Sequence, residues 1–554
     1  MEKVKIWEED VVIPTYEVGA PDKNPMFLEK RVYQGSSGKV YPYPTTETIC
    51  HEKKDKIWHA VYLENEYLKI MVLPELGGRI QRAYDKTNDY DFVYYNHVIK
   101  PALVGLAGPW ISGGIEFNWP QHHRPTTYMP VDYQLQKQED GSKTLLINDV
   151  DQMYGTKAIA AFTLYPGKAY IEIRGQLYNR TSMPQTFLWW ANPAVAVNEH
   201  TQSIFPPDVH SVYDHGKRDV SRFPIAQGVY YKHDYSEGVD ISRYKNIPVP
   251  TSYMAESSCY DFVGGYDYQK EAGLLHVADH HFSPGKKQWT WGCGEFGKAW
   301  DRNLTDEDGP YIELMTGVYT ENQPDFTWLK PFEEKTFRQY FMPYKKVGAV
   351  KNATIHAVLG AEITDRQIAL TVYGTRRYDR AVITVTNGEK EICHETVVLS
   401  PVDIFEKTLE TDVSKKQDIC ISVYADGKLL VKYQPEEETI PRLAKPAQAA
   451  KEPSEIMTNE ELLLTAQHIE QNRHASYLPD PYYLEGLKRD SDDSRINNAY
   501  GMLMLRRGKF AEAETCFRKA VKRLTWRCPI TIWLPLRTEG EIWSRHWSWW
   551  KRDL

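Results

Sequence analysis

Short segments with side chains alternating at a period of two set the strongest limit on the fold of this chain. They occupy residues 4–7, 59–63, 67–73, 143–148, 158–165, 169–177 and 185–191, and are rich in β-branched and aromatic residues. Successive side chains of an extended strand point to opposite faces, so a period of two suits strands with one face buried. Tyr165-Pro166-Gly167-Lys168 is a turn signal between two of them. No repeated strand-helix-strand alternation accompanies these segments, which argues against a parallel α/β sheet. A mainly β fold follows, with a sandwich of unusual size over residues 1–345.

The chain has 554 residues, enough for three or four domains with a large core. Its 37 Tyr and 16 Trp exceed ordinary usage. Both favour strands, and both stack on the apolar faces of sugar rings. The net charge of −8 gives no electrostatic footprint for nucleic acid or for an acidic membrane surface. Seven cysteines are scattered without CxxC spacing, as in reduced thiols of a cytoplasmic protein. Residues 1–10 hold no apolar leader and no run of 18 apolar residues occurs, so neither a signal peptide nor a membrane span is expected.

One stretch gathers the functional groups. Gly113-Gly114-Ile115-Glu116-Phe117-Asn118-Trp119-Pro120-Gln121-His122-His123-Arg124-Pro125 offers a carboxylate, an amide, two imidazoles, a guanidinium and an indole. The glycine pair permits positive φ and the prolines fix the backbone, so it reads as a rigid loop leaving a strand. Such loops on a rigid scaffold are where binding chemistry concentrates.

The segment Tyr67-Leu68-Lys69-Ile70-Met71-Val72-Leu73-Pro74-Glu75-Leu76-Gly77-Gly78-Arg79-Ile80, running on to Arg82-Ala83-Tyr84-Asp85, resembles the early strand-turn-strand of galactose mutarotase-like proteins. With residues 113–125, Trp190-Ala191-Asn192-Pro193-Ala194-Val195, residues 203–207, Ala278-Asp279-His280-His281, Trp289-Thr290-Trp291-Gly292 and residues 312–326, the pattern resembles a poorly characterised bacterial family. In it a mutarotase-like domain of unknown function precedes tetratricopeptide repeats. The resemblance covers residues 1–345 and 475–525. It implies a galactose mutarotase-like β-supersandwich with a concave, carbohydrate-facing sheet and a role in sugar metabolism. It also matches Glu313 to the late-strand glutamate that serves mutarotases as general base. Their acid, a histidine in an Asn-His-x-Tyr-Phe-Asn context, has no counterpart in Trp190-Ala191-Asn192-Pro193. Another acid is required, and His122, His123 and Glu116 could fill the role.

Beyond residue 345 the character changes. Residues 346–435 carry strand spacing and turns, such as Asn387-Gly388 and Asp426-Gly427, that suit a small immunoglobulin-like β-sandwich. Residues 436–457 have the composition of a linker. Residues 458–525 are helical: Gly501, Gly508, Phe510, Ala513, Phe517 and Ala520 have the spacing of one tetratricopeptide repeat, and residues 481–487 resemble the second helix of a preceding one. Residues 526–554 hold Trp526, Trp533, Trp543, Trp547, Trp549 and Trp550 without period, an atypical tail that reads as out-of-frame or truncated.

Glycoside cleavage and sugar epimerisation both need carboxylates facing a sugar. Glu116 and Glu313 are the expected acid/base pair, with Glu116 kept protonated by desolvation against neighbouring rings. Trp119, His122, His123, Arg124, Asp279, His280, Lys286 and Trp291 are the expected substrate contacts, with Trp300 a further stacking platform. Arg124, Lys217, Arg218 and Lys286 would suit a carboxylate or phosphate on the ligand. His276 and His280, four apart on a strand, are too far apart to chelate, so no metal and no cofactor is expected. No GxGxxG, P-loop or GxSxG occurs. The leading expectation is a cytoplasmic glycoside hydrolase of small oligosaccharides. The alternatives are an aldose epimerase or mutarotase, and a non-catalytic sugar-binding protein whose helical region recruits a protein partner; a lyase is fainter. The expected partner is a small saccharide, and a homo-oligomer is a further expectation.

Overall fold

The computed structural model describes residues 3–22, 40–323, 325–437, 442–474 and 476–522; the tryptophan-rich tail lies outside the described residues. The chain divides between Ala447 and Gln448 into two compact units.

The first unit is built on a large antiparallel sheet. Its strands are β1 (Lys5–Val18), β2 (Ile49–Glu64), β3 (Leu68–Leu73), β4 (Arg79–Asp85), β5 (Tyr90–Val93), β6 (Ile115–Asn118), β7 (Trp189–Ala196), β8 (Ser211–Tyr213), β9 (Val220–Arg222), β10 (Thr251–Ala255), β11 (Gly285–Thr290) and β12 (Tyr311–Val318). Across the sheet the order is β1-β2-β3-β4-β6-β7-β12-β11-β10-β8-β9, with β5 beside β4. An eight-stranded sheet packs on it; the central strands of that sheet are Ala272–Val277, Glu334–Lys345, Ile171–Asn179 and Thr156–Leu164. This two-sheet body is the expected β-supersandwich.

The core lies between the sheets. Ile115 and Phe117 of β6, Trp189, Ala191 and Val195 of β7, and Ile312, Leu314 and Val318 of β12 meet Phe162, Ile173, Leu274 and Phe341 of the smaller sheet. Alternation then forces Glu116, Asn118, Trp190, Asn192, Glu313 and Met315 onto the other face. That face is covered too: every residue of β6 and β12 is buried. Trp119, expected as a stacking platform, is 3% exposed and belongs to the inter-sheet core. The cause is alternation: Trp119 continues the row of Ile115 and Phe117 on the inter-sheet side of β6.

Two four-stranded sheets follow. One contains Val350–Ala353, Ala357–Ile363, Gln367–Gly374 and Phe405–Glu410; the other contains Lys390–Leu399, Tyr378–Asn387, Ile419–Ala425 and Lys428–Tyr433. They enclose their own core, which includes Leu370, Val372, Ile383, Val385, Ile421 and Val423.

The second unit is helical, with α2 (Asn459–Gln471), α3 (Asp480–Arg489), α4 (Ser494–Arg506) and α5 (Phe510–Lys522), α1 being Glu295–Leu304 of the first unit. Thr458 and Asp493 cap α2 and α4 by accepting backbone N–H bonds. Gly501 is required by packing: a Cβ there would lie 2.7 Å from the Phe517 ring. No described helix is long and apolar enough to cross a membrane.

Candidate functional site

Register puts the polar side chains of the covered face in line. Ile80 of β4 pairs with Ile115 of β6, so Arg79 stands beside Glu116, and Glu116 pairs with Asn192 of β7. Ala194 pairs with Glu313 of β12, and Glu313 with Trp289 of β11. Lys287 pairs with Met315 and with Met254 of β10, hence sharing the face with Glu313. Segments 200 residues apart in sequence therefore present two carboxyls, a guanidinium, an amine and an amide to one space.

Glu116 is an acceptor on all sides. Its Oε2 receives Trp110 Nε1 at 3.2 Å, His123 Nδ1 at 3.0 Å, Asn118 Nδ2 at 3.3 Å and Asn192 Nδ2 at 3.5 Å. Its Oε1 receives the Thr127 hydroxyl at 2.5 Å. Thr127 is delivered by a short 3-10 helix, Pro125–Tyr128, against the turn at Gly77. Gly77 has φ 70°, and a Cβ there would meet the Thr127 carbonyl oxygen at 2.6 Å, so the glycine of the early turn motif is needed for this approach. Burial would raise the proton affinity of Glu116, but the charges of His123 and Arg79 and the bonds from His123 and Thr127 outweigh it and hold the carboxyl well below the usual carboxylate range. The expectation that Glu116 stays protonated is therefore corrected: His123, Arg79 and Thr127, which a hydropathy argument does not see, outweigh burial.

His123 has φ 44°, in the left-handed region that side-chain-bearing residues seldom occupy. Its backbone N–H is fixed on Asn118 Oδ1 at 2.7 Å and its Nδ1 on Glu116, so the strained residue is held from both ends. Glu313 is 5% exposed and accepts from the Tyr311 hydroxyl at 3.4 Å. Burial raises its proton affinity, the neighbouring Glu116 adds to the rise, and His123 and Lys287 oppose it.

A second string of polar groups runs from this pair. Gln323 links His122 Nδ1 to the Lys287 ammonium, which also donates to His215 Nε2 at 2.9 Å. His215 Nδ1 bonds Ser252 Oγ at 3.0 Å. Burial draws Lys287 down to about 7 against the pull of Glu313, and draws His122 and His215 well below the usual imidazole range.

The other expected contacts divide. Trp291 adjoins the cluster, its Nε1 donating to the Tyr311 hydroxyl at 3.2 Å while its ring stacks on Trp300 at 4.0 Å. Arg124 turns away: it donates to the Gly77 carbonyl and lies 3.9 Å from Asp149, bracing the 3-10 helix. Lys286, adjacent to Lys287 on β11, points into the space between the sheets, where burial lowers it to about 8. Asp279 and His280 sit on a loop after Val277, bonded to His281 and Asp261 at 2.8 Å, and none of their bonds reaches Glu116 or Glu313. Among the described residues Asp279, His280 and His281 are a group whose ligand atoms lie within 4.8 Å of one another. Arg218 pairs with Asp214 at 3.1 Å. Sequence reasoning missed Arg79, Thr127, Asn192, His215, Lys287 and Gln323. Only Arg79, Asn192 and Gln323 lay in stretches already singled out.

Comparison with known proteins follows the same boundaries. A family described as "YphG-like protein, second domain" matches residues 352–433. A TPR-domain containing protein from Parabacteroides distasonis is similar at 19% identity over 93% of this chain and 74% of that one, with a TM-score of 0.54. A galactose mutarotase-like protein from Clostridium acetobutylicum is similar at 9% identity over 52% of this chain and 96% of that one, TM-score 0.37. A galactose mutarotase related enzyme from Lactobacillus acidophilus is similar at 10% identity over 52% and 97%, TM-score 0.34. The family described as "Domain of unknown function (DUF5107)" matches residues 36–350, more than half of the chain and the whole region that carries the buried cluster, and the chain belongs to that family.

Proposed function

We propose that the cluster transfers protons to and from a small saccharide as an aldose epimerase or mutarotase, with Glu313 as base and His123 as acid. The observation that carries this reading is the Glu116–His123 contact at 3.0 Å on the same sheet face as Glu313. With Nδ1 held by the Glu116 carboxylate, proton exchange with a substrate falls to Nε2. Glu313 takes the proton of the anomeric hydroxyl as His123 gives one to the ring oxygen. The bond between the anomeric carbon and the ring oxygen breaks, leaving an open-chain aldehyde. Rotation and the reverse transfers close the other anomer. Glu116 is a positioning residue here.

A glycoside hydrolase would need Glu116 to donate a proton to the leaving oxygen. A carboxyl that accepts five bonds and is held ionised does not serve that step. Glu116, His123 and Glu313 are each no more than 5% exposed, so a sugar reaches them only when the groups that cover this face part.

The test is polarimetry of freshly dissolved α-D-glucose and α-D-galactose with the protein, beside a reducing-end assay on disaccharides. Faster equilibration without new reducing ends is expected. New reducing ends would favour hydrolysis, and saturable binding without either would favour a sensor.

A further inference from the structure

A second polar island lies between the two sheets, on the opposite face of β11 from Lys287. Lys286 pairs with Thr316 of β12, whose hydroxyl accepts Gln339 Nε2 of the smaller sheet at 3.0 Å. Gln339 also donates to Ser283 Oγ at 3.2 Å and accepts Trp189 Nε1 at 3.0 Å. Ser283 in turn donates to the Gly317 carbonyl at 3.1 Å. His276 enters from the smaller sheet, in the row of Ala272 and Leu274, with its ring 5.1 Å from that of Phe341. The neighbours satisfy one another, and Lys286 and His276 are left over. They are 3% and 4% exposed, yet Lys286 Nζ and His276 Nε2 have no hydrogen-bond partner among the described residues. The two share one space: burial draws His276 down to about 3, and the Lys286 charge adds to the fall. Gln288, which pairs with the core residue Leu314, lies on the same side of β11. Its Oε1 accepts the Ser203 hydroxyl, and its Nε2 has no partner. All three unpartnered atoms are nitrogens that can donate.

We propose that Lys286 and His276 hold a small monovalent anion, such as chloride, between the two sheets. A buried charge without a partner is strongly disfavoured, and buried polar groups as a rule are hydrogen-bonded. An anion supplies both the opposite charge and the missing acceptor, and a charge-assisted bond is the stronger kind. The chain's own carboxylates do not fill that place. Asp208 and Asp261 act on Lys286 only through space. Asp208 accepts the Ser258 hydroxyl at 2.8 Å and the Cys259 N–H at 2.6 Å, while Asp261 accepts the His280 N–H and bonds its Nδ1. The charge of the ion follows from the pair. The imidazole is neutral, so one ammonium is balanced by one negative charge; a dianion would leave an excess facing Asp208 and Asp261. Trp189 and Phe341, fully buried in the same inter-sheet core, suit an ion of few atoms. The site is separate from the saccharide reading, because Lys286 and Glu313 lie on opposite faces of the large sheet.

Crystals of the full chain grown in sodium bromide test this directly, bromide standing in for chloride with an anomalous signal. An anomalous peak is expected within hydrogen-bonding distance of Lys286 Nζ and His276 Nε2. In solution, replacing sodium gluconate by sodium chloride at constant ionic strength should raise the melting temperature by a few degrees, and the rise should saturate. Lys286→Met keeps the apolar stem and removes the charge, so it should abolish the rise. Lys416→Met, at an exposed position of the small sandwich, should leave the rise intact. Should Lys286→Met fail to melt cooperatively, the bromide crystals and the wild-type salt series decide. A water or a carboxylate of the chain in place of the anomalous peak would overturn the site. So would a chloride rise that never saturates, or one that survives Lys286→Met.

Discussion

The large sandwich and the small one that follows it are both antiparallel, yet they use their strands differently. In the small sandwich, strand Gln367–Gly374 alternates buried and partly exposed positions, and strand Phe405–Glu410 has none fully buried. One face packs on Leu370, Val372, Ile383 and Val385 and the other meets water. In the large sandwich β6 and β12 are buried along their whole length, and the second face holds carboxyls, imidazoles and amines instead of apolar side chains. Burying ionisable groups is costly unless each finds partners. The covered face can hold these groups because strand register brings each of them a partner, which ordinary alternation next door does not require.

That contrast can be broken or sharpened by substitution. The largest effect is expected at Glu313. Glu313→Gln keeps shape and removes the base, so anomer equilibration should slow by about 10²–10⁴-fold with little change in melting temperature. Equal rates in a steady-state comparison would remove Glu313 from the mechanism.

Glu116→Gln should act on stability as well as on rate. Removing one partner of a buried, hydrogen-bonded charge costs about 3–5 kcal/mol. The folded-state proton affinity of Glu116 is lowered, so its stabilisation is fully present above the unfolded carboxyl value of 4.5 and is lost as pH falls towards the folded one. Urea melts at pH 7 and near pH 3 should therefore show the gap between wild type and variant shrinking in acid. A gap that widened would mean the carboxyl is held protonated in the fold.

In the small sandwich the comparable position is apolar. Ile383→Ala should cost about 2–5 kcal/mol through the cavity it leaves, and the cost should be flat between pH 5 and 8. The smallest effect is expected on the water-facing side of the same sandwich. Lys407 and Glu395 form a surface pair, and Lys407→Ala should change stability by no more than about 1 kcal/mol. A large loss there would show that the outer face of the small sandwich is covered by something.

How far the sequence revealed the site depended on the type of strand. Glu116, His122 and His123 were legible because they crowd one loop between a Gly-Gly pair and a proline. Glu313 was found through its match to a known late-strand glutamate. Lys286 was chosen and Lys287 overlooked, though only the second shares the face of Glu313. Adjacent lysines on a strand point to opposite faces, and with every neighbour buried no alternation says which face is which. His215 and Ser252 come from distant segments and carry no local signal, and Gln323 lay in a stretch that gave a family pattern but no role. The Gly501 and Phe517 spacing, by contrast, was readable because helical packing is set within a few residues.

The sequence by itself determined the mainly β character, the break near residue 350, the glycine turn at Gly77-Gly78 and the helical repeat, since each depends on local periodicity or on backbone freedom. Only the tertiary structure decided that Glu116 is an ionised brace for His123, that Trp119 is core, and that Asn192 stands between two carboxyls. These depend on which strands are neighbours and in what register, and a proton's affinity for a buried carboxyl is fixed by the donors that register brings to it.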